Sequence, residues 1–325
     1  MNTSKIFNIN SLEDFNAIAL EVYQLQYKKN KIYQEFCNYL KRTPENVITL
    51  EDIPFLPIEF FKSKKIVSSN HTPKITFTSS GTTGSETSKH FVTDLAVYEE
   101  SYLKGFTHFY GTISDYCILA LLPSYLERKG SSLIYMVDDL IKKSNHPESG
   151  FYLNDTKSLT DKLVTLDKKG TKTLLIGVSF ALLDLVENYN LTLEHTIIME
   201  TGGMKGRRKE MIREELHDIL KIGFGVKTIH SEYGMTELLS QAYSNGNGIF
   251  ETPPWMKILI RDTEDALSYQ SKGKTGGINV IDLANINSCS FIATQDLGKQ
   301  LNTNSFEILG RFDHSDIRGC NLLLL

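Results

Sequence analysis

Phe77-Thr78-Ser79-Ser80-Gly81-Thr82-Thr83-Gly84-Ser85-Glu86-Thr87-Ser88-Lys89 is the stretch on which the reading of this chain turns. It carries two glycines and eight hydroxyls between two apolar patterns. Lys74-Ile75-Thr76-Phe77 reads as a short strand before it, while Phe91, Leu95, Tyr98, Tyr102 and Phe106 recur at helical spacing after it. A loop of this composition between strand and helix has the chemistry to wrap phosphate. Glycine lets the backbone approach, and hydroxyls and N–H groups donate to oxyanions. It is not a Walker loop, because neither glycine is followed at the required distance by Gly-Lys-Ser/Thr. A flexible polar connector is the plainer alternative, and the loop alone does not decide between the two.

The 325 residues are 41% hydrophobic, enough to bury a sizeable core in one large or two modest domains. A net charge of -4 offers no electrostatic reason to expect nucleic acid or an anionic membrane as partner. The four cysteines, Cys37, Cys117, Cys289 and Cys320, have no metal-binding spacing and suggest reduced thiols in a cytoplasmic protein. No apolar run has the length of a signal peptide or a membrane span, and Leu322 to Leu325 is far too short to cross a bilayer. Cys320 stands sixth from the end rather than fourth, so it is not a prenylation signal.

Taken in order, residues 11–42 predict helix, stopped by Thr43-Pro44. Residues 53–57 read as extended, because each proline disfavours helix at the residue before it. Beyond the polar loop, apolar strands are expected at 116–122, 173–178, 196–199 and 226–229. Helices are expected at 133–141, around Leu163 and Leu166, at 181–186 and at 207–220. Strands alternating with helices at this spacing imply βαβ crossovers and a mainly parallel sheet. From about residue 248 short segments are separated by Gly, Asn, Asp and Lys, which suggests small antiparallel strands. The expectation is an α/β core over 1–247, including N-terminal helices, and a β-rich subdomain over 248–325.

In open α/β sheets ligands bind at the carboxyl ends of strands, and four loops are expected near such ends. These are the hydroxyl-rich loop, Thr201–Gly206, Ser231–Glu237 and Thr294–Gly298. Tyr233-Gly234-Met235-Thr236-Glu237 admits two readings. It is a helix N-cap with an acidic first turn, or it places Glu237 on Mg²⁺ and Thr236 against phosphate, since such cations take one or two carboxylates. Asp296 is either an ordinary turn aspartate or an acceptor for ribose hydroxyls, and Arg311 either a surface arginine or a phosphate partner.

Together and in this order, the motifs resemble the adenylate-forming superfamily of acyl- and aryl-CoA synthetases, adenylation domains and luciferases. Thr78, Ser79, Ser80, Gly81, Thr82, Thr83 and Gly84 look like its phosphate loop, Gly202-Gly203 like its adenine-flanking turn, and Tyr233–Glu237 like its Tyr-Gly-x-Thr-Glu motif. Thr294–Gly298 resembles its Thr-Gly-Asp-Leu segment with Gln295 in place of glycine, and Gly310–Gly319 its Gly-Arg-x-Asp…Arg-Gly hinge. The resemblance implies that superfamily's large α/β domain, with ATP and Mg²⁺ as cofactors. Two departures stand out. The phosphate loop usually closes with Pro-Lys, but here Ser85-Glu86-Thr87-Ser88 precede Lys89. The superfamily usually continues past the hinge into a mobile domain with a catalytic lysine, and here six residues follow Gly319.

The acyl-protein synthetases of bacterial luminescence (LuxE-type) also lack that mobile domain, and the chain resembles them most. Glu200–Arg207, Glu232–Leu239 and Arg318-Gly319-Cys320 look like their segments. That resemblance implies activation of a carboxylic acid, expected to be fatty, as an acyl-adenylate, then transfer to Cys320. The alternative for Cys320 is a buried structural thiol, which is the expectation for Cys37, Cys117 and Cys289. Residues 116–124 and 131–136 are candidates for the acid pocket. The expected partners are the acid and an acyl acceptor protein, reductase or carrier protein. Two rival readings stay open: delivery to coenzyme A or a carrier protein, and a non-catalytic nucleotide-binding protein.

Overall fold

The apolar run that ends near Pro123 becomes a strand with every residue buried, Cys117–Leu121, as expected of a parallel strand covered on both faces. The computed structural model describes residues 3–68, 70–79, 87–123, 130–202, 208 and 211–312. In chain order, α1 (Leu12–Lys29), α2 (Lys31–Tyr39), β1 (Leu56–Pro57) and α3 (Phe60–Ser63) precede the strands β2 (Ile75–Thr78) and β3 (Lys89–Val92). Then come α4 (Leu95–Tyr110), β4 (Cys117–Leu121), α5 (Ser132–Ser144), β5 (Gly150–Phe151) and α6 (Thr156–Lys168). They are followed by β6 (Thr173–Val178), α7 (Ser179–Asn188), β7 (Thr196–Thr201) and α8 (Arg213–Phe224). The chain continues through β8 (His230–Tyr233), β9 (Ala242–Ser244), β10 (Ile249–Glu251), β11 (Met256–Arg261), β12 (Thr275–Asp282), β13 (Phe291–Gln300) and β14 (Ser305–Arg311).

The residues group into two compact units, 73–253 and a second made of 1–72 with 254–325. In the first, β4 pairs in parallel with β5 and β6, β6 with β7, and β7 with β8, while β9 and β10 add antiparallel strands. This is the mainly parallel sheet expected from the βαβ alternation. In the second unit β11, β12, β13 and β14 form an antiparallel meander, and β1 pairs in parallel with β13.

The grouping differs from the division expected near residue 247. Residues 3–72 pack with 254–312 because buried polar side chains tie α1 to the turn before β13. Gln26 donates through Nε2 to the carbonyls of Asn285 and Ile286, both at 3.0 Å, and accepts the Ser290 N–H at 2.9 Å. Asn30 donates to the Ser288 carbonyl at 3.1 Å. The rings of Tyr23, Tyr33 and Phe55 close around Phe291 at centroid distances of 6.4, 6.0 and 6.2 Å. Fragments so far apart in sequence meet through contacts that no local pattern announces.

Five local expectations are also corrected. The predicted helical region over 11–42 is two helices, because Asn30 ends α1 and caps α2 by accepting the Tyr33 N–H. The hydroxyl-rich loop joins the antiparallel strands β2 and β3 rather than a strand and a helix. Phe91 belongs to β3, and α4 starts only where the Asp94 carboxylate accepts the Ala96 N–H. The strand expected at 226–229 lies at His230–Tyr233 instead. The reason is at the end of α8: Gly225 turns left-handed at φ 66°, and the Val226 N–H still bonds the Lys221 carbonyl. Finally, Asp296 is not in a turn but in the middle of β13.

Candidate functional site

Within the 73–253 unit the carboxyl ends of β6, β7 and β8 lie side by side, where an open sheet binds ligands. Thr201 pairs with Glu232 across β7 and β8, so Gly202 and Gly234 follow the two strand ends. The Thr201 hydroxyl donates to Glu232 Oε2 at 2.5 Å, tying those ends together. Gly202 has φ 70°, a conformation that suits glycine. Its carbonyl accepts the Ser179 hydroxyl at 2.5 Å, from the first residue of α7 after β6. A Cβ on Gly234 would meet Glu232 Oε1 at 2.4 Å, so glycine there makes room for that carboxylate.

Tyr233 is the last residue of β8, buried, with its ring 6.0 Å from that of Phe250. Thr236 and Glu237 sit in a turn in which the Leu238 N–H bonds the Met235 carbonyl. No helix follows, so the N-cap reading of this pair does not hold. Side chains of β3 and α4 fasten the turn. His90 of β3 lies with Nδ1 2.8 Å from the Thr236 carbonyl, and Ser101 of α4 meets Ser240 at 3.0 Å between hydroxyl oxygens. Glu237 is buried, at 6% exposure.

Thr78 ends β2, and its N–H donates to the Gly130 carbonyl at 2.7 Å. The Ser79 N–H donates to the Ser88 carbonyl at 3.1 Å, while the Ser88 N–H donates to Ser79 Oγ at 2.9 Å. These bonds close the neck of the hydroxyl-rich loop. Ser80, Gly81, Thr82, Thr83, Gly84, Gly203 and Cys320 lie outside the described residues.

On the opposite face of β7, Glu200 is 5% exposed. Its Oε1 lies 3.5 Å from Arg213 Nε and 3.6 Å from His217 Nε2. Burial acts to raise the pKa of this carboxyl, but the His217 hydrogen bond, the Arg213 charge and Ser231 hold it below the ordinary value. Glu200 therefore stays ionised two residues before the Gly202 turn.

In the other unit, Asp296 faces Arg311 across β13 and β14, with Arg311 Nε 3.2 Å from Asp296 Oδ1. Asp296 is buried and accounts for one side of this pair, whereas the Arg311 side chain is 70% exposed. Gln295, which replaces the expected glycine, accepts the Phe312 N–H at its carbonyl at 2.8 Å and bonds Glu59 through its amide.

Sequence reasoning missed His90, Ser179, Glu200 and Glu232. His90 and Ser179 sit in no recognisable spacing. Glu200 and Glu232 fall inside quoted motifs, but their roles depend on pairing across β7 and β8.

Comparison with known proteins fits this geometry. Residues 5–96 match the family model "Acyl-protein synthetase, LuxE". ATP-bound MatB from Rhodopseudomonas palustris superposes with a TM-score of 0.54 and 19% identity, covering 73% of this chain and 47% of MatB. The chain therefore spans about half the length of MatB. An open conformation of 2-hydroxyisobutyryl-CoA ligase, bound to 2-HIB-AMP and CoA, gives a TM-score of 0.66 at 12% identity. It covers 93% of this chain and 75% of the ligase. The fold is that of the large domain of adenylate-forming enzymes. No curated protein matches the chain by sequence. The adenylate-forming fold and the LuxE match over the N-terminal residues agree with the resemblance carried by the sequence motifs.

Glu237, buried on its turn, is a carboxylate of the kind that can hold a nucleotide-bound cation. Among the described residues no group of three or more His, Cys, Asp or Glu side chains is arranged to hold a metal. A single carboxylate such as Glu237 suits Mg²⁺ that takes its remaining oxygens from phosphates and water. No helix among the described residues is long and apolar enough to cross a membrane.

Proposed function

We propose that the chain is an AMP-forming acid–thiol ligase of the acyl-protein synthetase type. The observation that carries this reading is the joining of three motif loops in one unit. β7 and β8 bring Gly202 beside Tyr233-Gly234, and His90 fastens the Thr236–Glu237 turn to the hairpin bearing the hydroxyl-rich loop.

In the first step a carboxylate oxygen attacks the α-phosphorus of ATP, the bond to the β-phosphate oxygen breaks, and pyrophosphate leaves with that electron pair. Thr78, Ser79, Ser80, Gly81, Thr82, Thr83 and Gly84 would hold phosphate through N–H and hydroxyl groups. Gly202, Gly203, Tyr233 and Gly234 would frame the base, and Thr236 would touch phosphate. Glu237 would hold Mg²⁺, which supplies neutralising charge on the phosphates. By the superfamily resemblance, Asp296 would accept the ribose hydroxyls and Arg311 would serve the nucleotide through its guanidinium.

In the second step a thiolate attacks the acyl carbonyl, the carbonyl carbon–AMP oxygen bond breaks, and AMP leaves. Cys320 is the proposed thiol. Cys37 and Cys117 are buried, and burial pushes their thiols up to about 12 and about 11. Cys289 is fully buried and also pushed up. Thiols held protonated in the core are poor nucleophiles, which supports Cys320 over the other three. The acid would be apolar and is proposed to be fatty. That choice follows the resemblance to the LuxE-type family, whose acid is expected to be fatty. A reductase, an acceptor protein or a carrier protein would take the acyl group onward, in the cytoplasm where thiols stay reduced.

Intact-mass measurement after incubation with ATP, Mg²⁺ and a panel of fatty and aryl acids tests this reading. A hydroxylamine-labile acyl adduct on wild type and none on Cys320→Ser is expected. Acid-dependent pyrophosphate release without an adduct would move the acceptor to an external thiol. Neither signal with any acid would overturn the enzyme reading.

A further inference from the structure

The turn that carries Thr236 and Glu237 has neither helix nor ladder to hold it. Between β8 and β9 the Leu238 N–H bonds the Met235 carbonyl. A carboxylate on such a turn needs outside support if it is to meet a ligand in one geometry. That support comes from 146 residues away in sequence, where His90 brings Nδ1 to 2.8 Å from the Thr236 carbonyl oxygen.

We infer that His90 is a positioning residue of the candidate site, clamping the Thr236–Glu237 turn to the hairpin that carries the hydroxyl-rich loop. A carbonyl oxygen can only accept, so Nδ1 carries the hydrogen of this bond. The ring is 1% exposed, which removes water as a competitor for that bond. His90 is also rigidly placed along its own strand. It faces Phe77 in the β2–β3 ladder, one step from the Thr78–Lys89 pair where the loop begins. Phe77 is itself fully buried against the ring of Tyr98, at 5.4 Å between centroids. One imidazole therefore links the neck of the loop to the turn bearing Glu237. Ser101 and Ser240 fasten the far side of the same turn, and His90 holds its near side. Neither contact requires a ligand.

The inference rests on the adenylation reading for its catalytic consequence, and its structural part can be tested alone. Asparagine can present an amide N–H close to the position of imidazole Nδ1, whereas glutamine reaches the position of Nε2. Acid-dependent ATP–pyrophosphate exchange should therefore fall on the order of 10-fold to 100-fold in His90→Ala and His90→Gln, and recover to within about threefold in His90→Asn. The loss is expected in kcat and in the KM for MgATP while the KM for the acid stays constant. Far-UV circular dichroism and melting temperature are measured on all three variants. Equal exchange in Ala, Gln and Asn variants of equal stability would overturn the positioning role. Long-range ¹H–¹⁵N correlation of the His90 imidazole in the wild-type chain needs no activity, and it should show the Nδ1–H tautomer. An Nε2–H tautomer would overturn the clamp. No exchange in wild type, with the Nδ1–H tautomer present, would count against the enzyme reading while leaving the clamp standing.

Discussion

At the scale of single residues, the same side-chain type does different work according to what surrounds it. Glu200, Glu232 and Glu237 all lie at or beyond the ends of β7 and β8, and all three are buried. Glu200 answers to Arg213 and His217, and Glu232 to the Thr201 hydroxyl. Glu237 stands on the turn that the motif assigns to the cation. Glu237→Gln keeps the shape and removes the charge. It is expected to lower acid-dependent ATP–pyrophosphate exchange on the order of 10²-fold to 10³-fold, the loss typical of one electrostatic contact to developing charge. Unchanged exchange in a folded variant would remove Glu237 from the site. The Tyr233–Glu237 motif was legible as a string of residues, but its alternative as a helix cap was excluded only by the observed turn. Cys37, Cys117 and Cys289 were expected to be structural from their predicted settings, and all three are buried.

At the scale of elements, β7 and β8 act as one unit because their facing residues alternate in role. Glu200 and Ser231 share one face, and Thr201 and Glu232 the other. The Glu200 group has a definite pH signature. Its folded pKa is depressed, so its contribution to stability is fully present above the unfolded carboxyl value of about 4.3 and is lost as pH falls through the lower folded value. Glu200→Gln should cost about 3 kcal/mol at pH 7, the scale of breaking a buried ion pair. Urea melts of variant and wild type should converge as the pH is taken below about 4. A gap independent of pH would mean that the carboxylate charge contributes nothing. Strands at 173–178 were legible to the residue, because a continuous apolar run bounded by polar turns leaves few alternatives. The boundaries of α8 and β8 were misplaced because capping by Gly225 is a backbone event, and apolar residues at 226–229 serve the connection as well as a strand.

At the scale of the whole molecule, an adenylate-forming reading commits the chain to bind MgATP in the folded state. At about 100 times its dissociation constant, MgATP should add about 2.7 kcal/mol of stability and raise the melting temperature, with the acid alone leaving it unchanged. A flat response to MgATP would overturn the nucleotide site in either the catalytic or the binding-only reading. The sequence by itself determined the α/β class, the parallel core of one unit and the short antiparallel strands of the other. It also determined the order of the motif loops. These follow from residue periodicity and turn chemistry, which act over a few residues. Tertiary structure alone decided that residues 3–72 pack with 254–312, that the hydroxyl-rich loop crowns a hairpin, and that His90 and Thr236 meet. Each of these depends on burying polar and aromatic groups against partners far away in the chain, and a hydrogen bond of that kind leaves no periodic trace in the residues that make it.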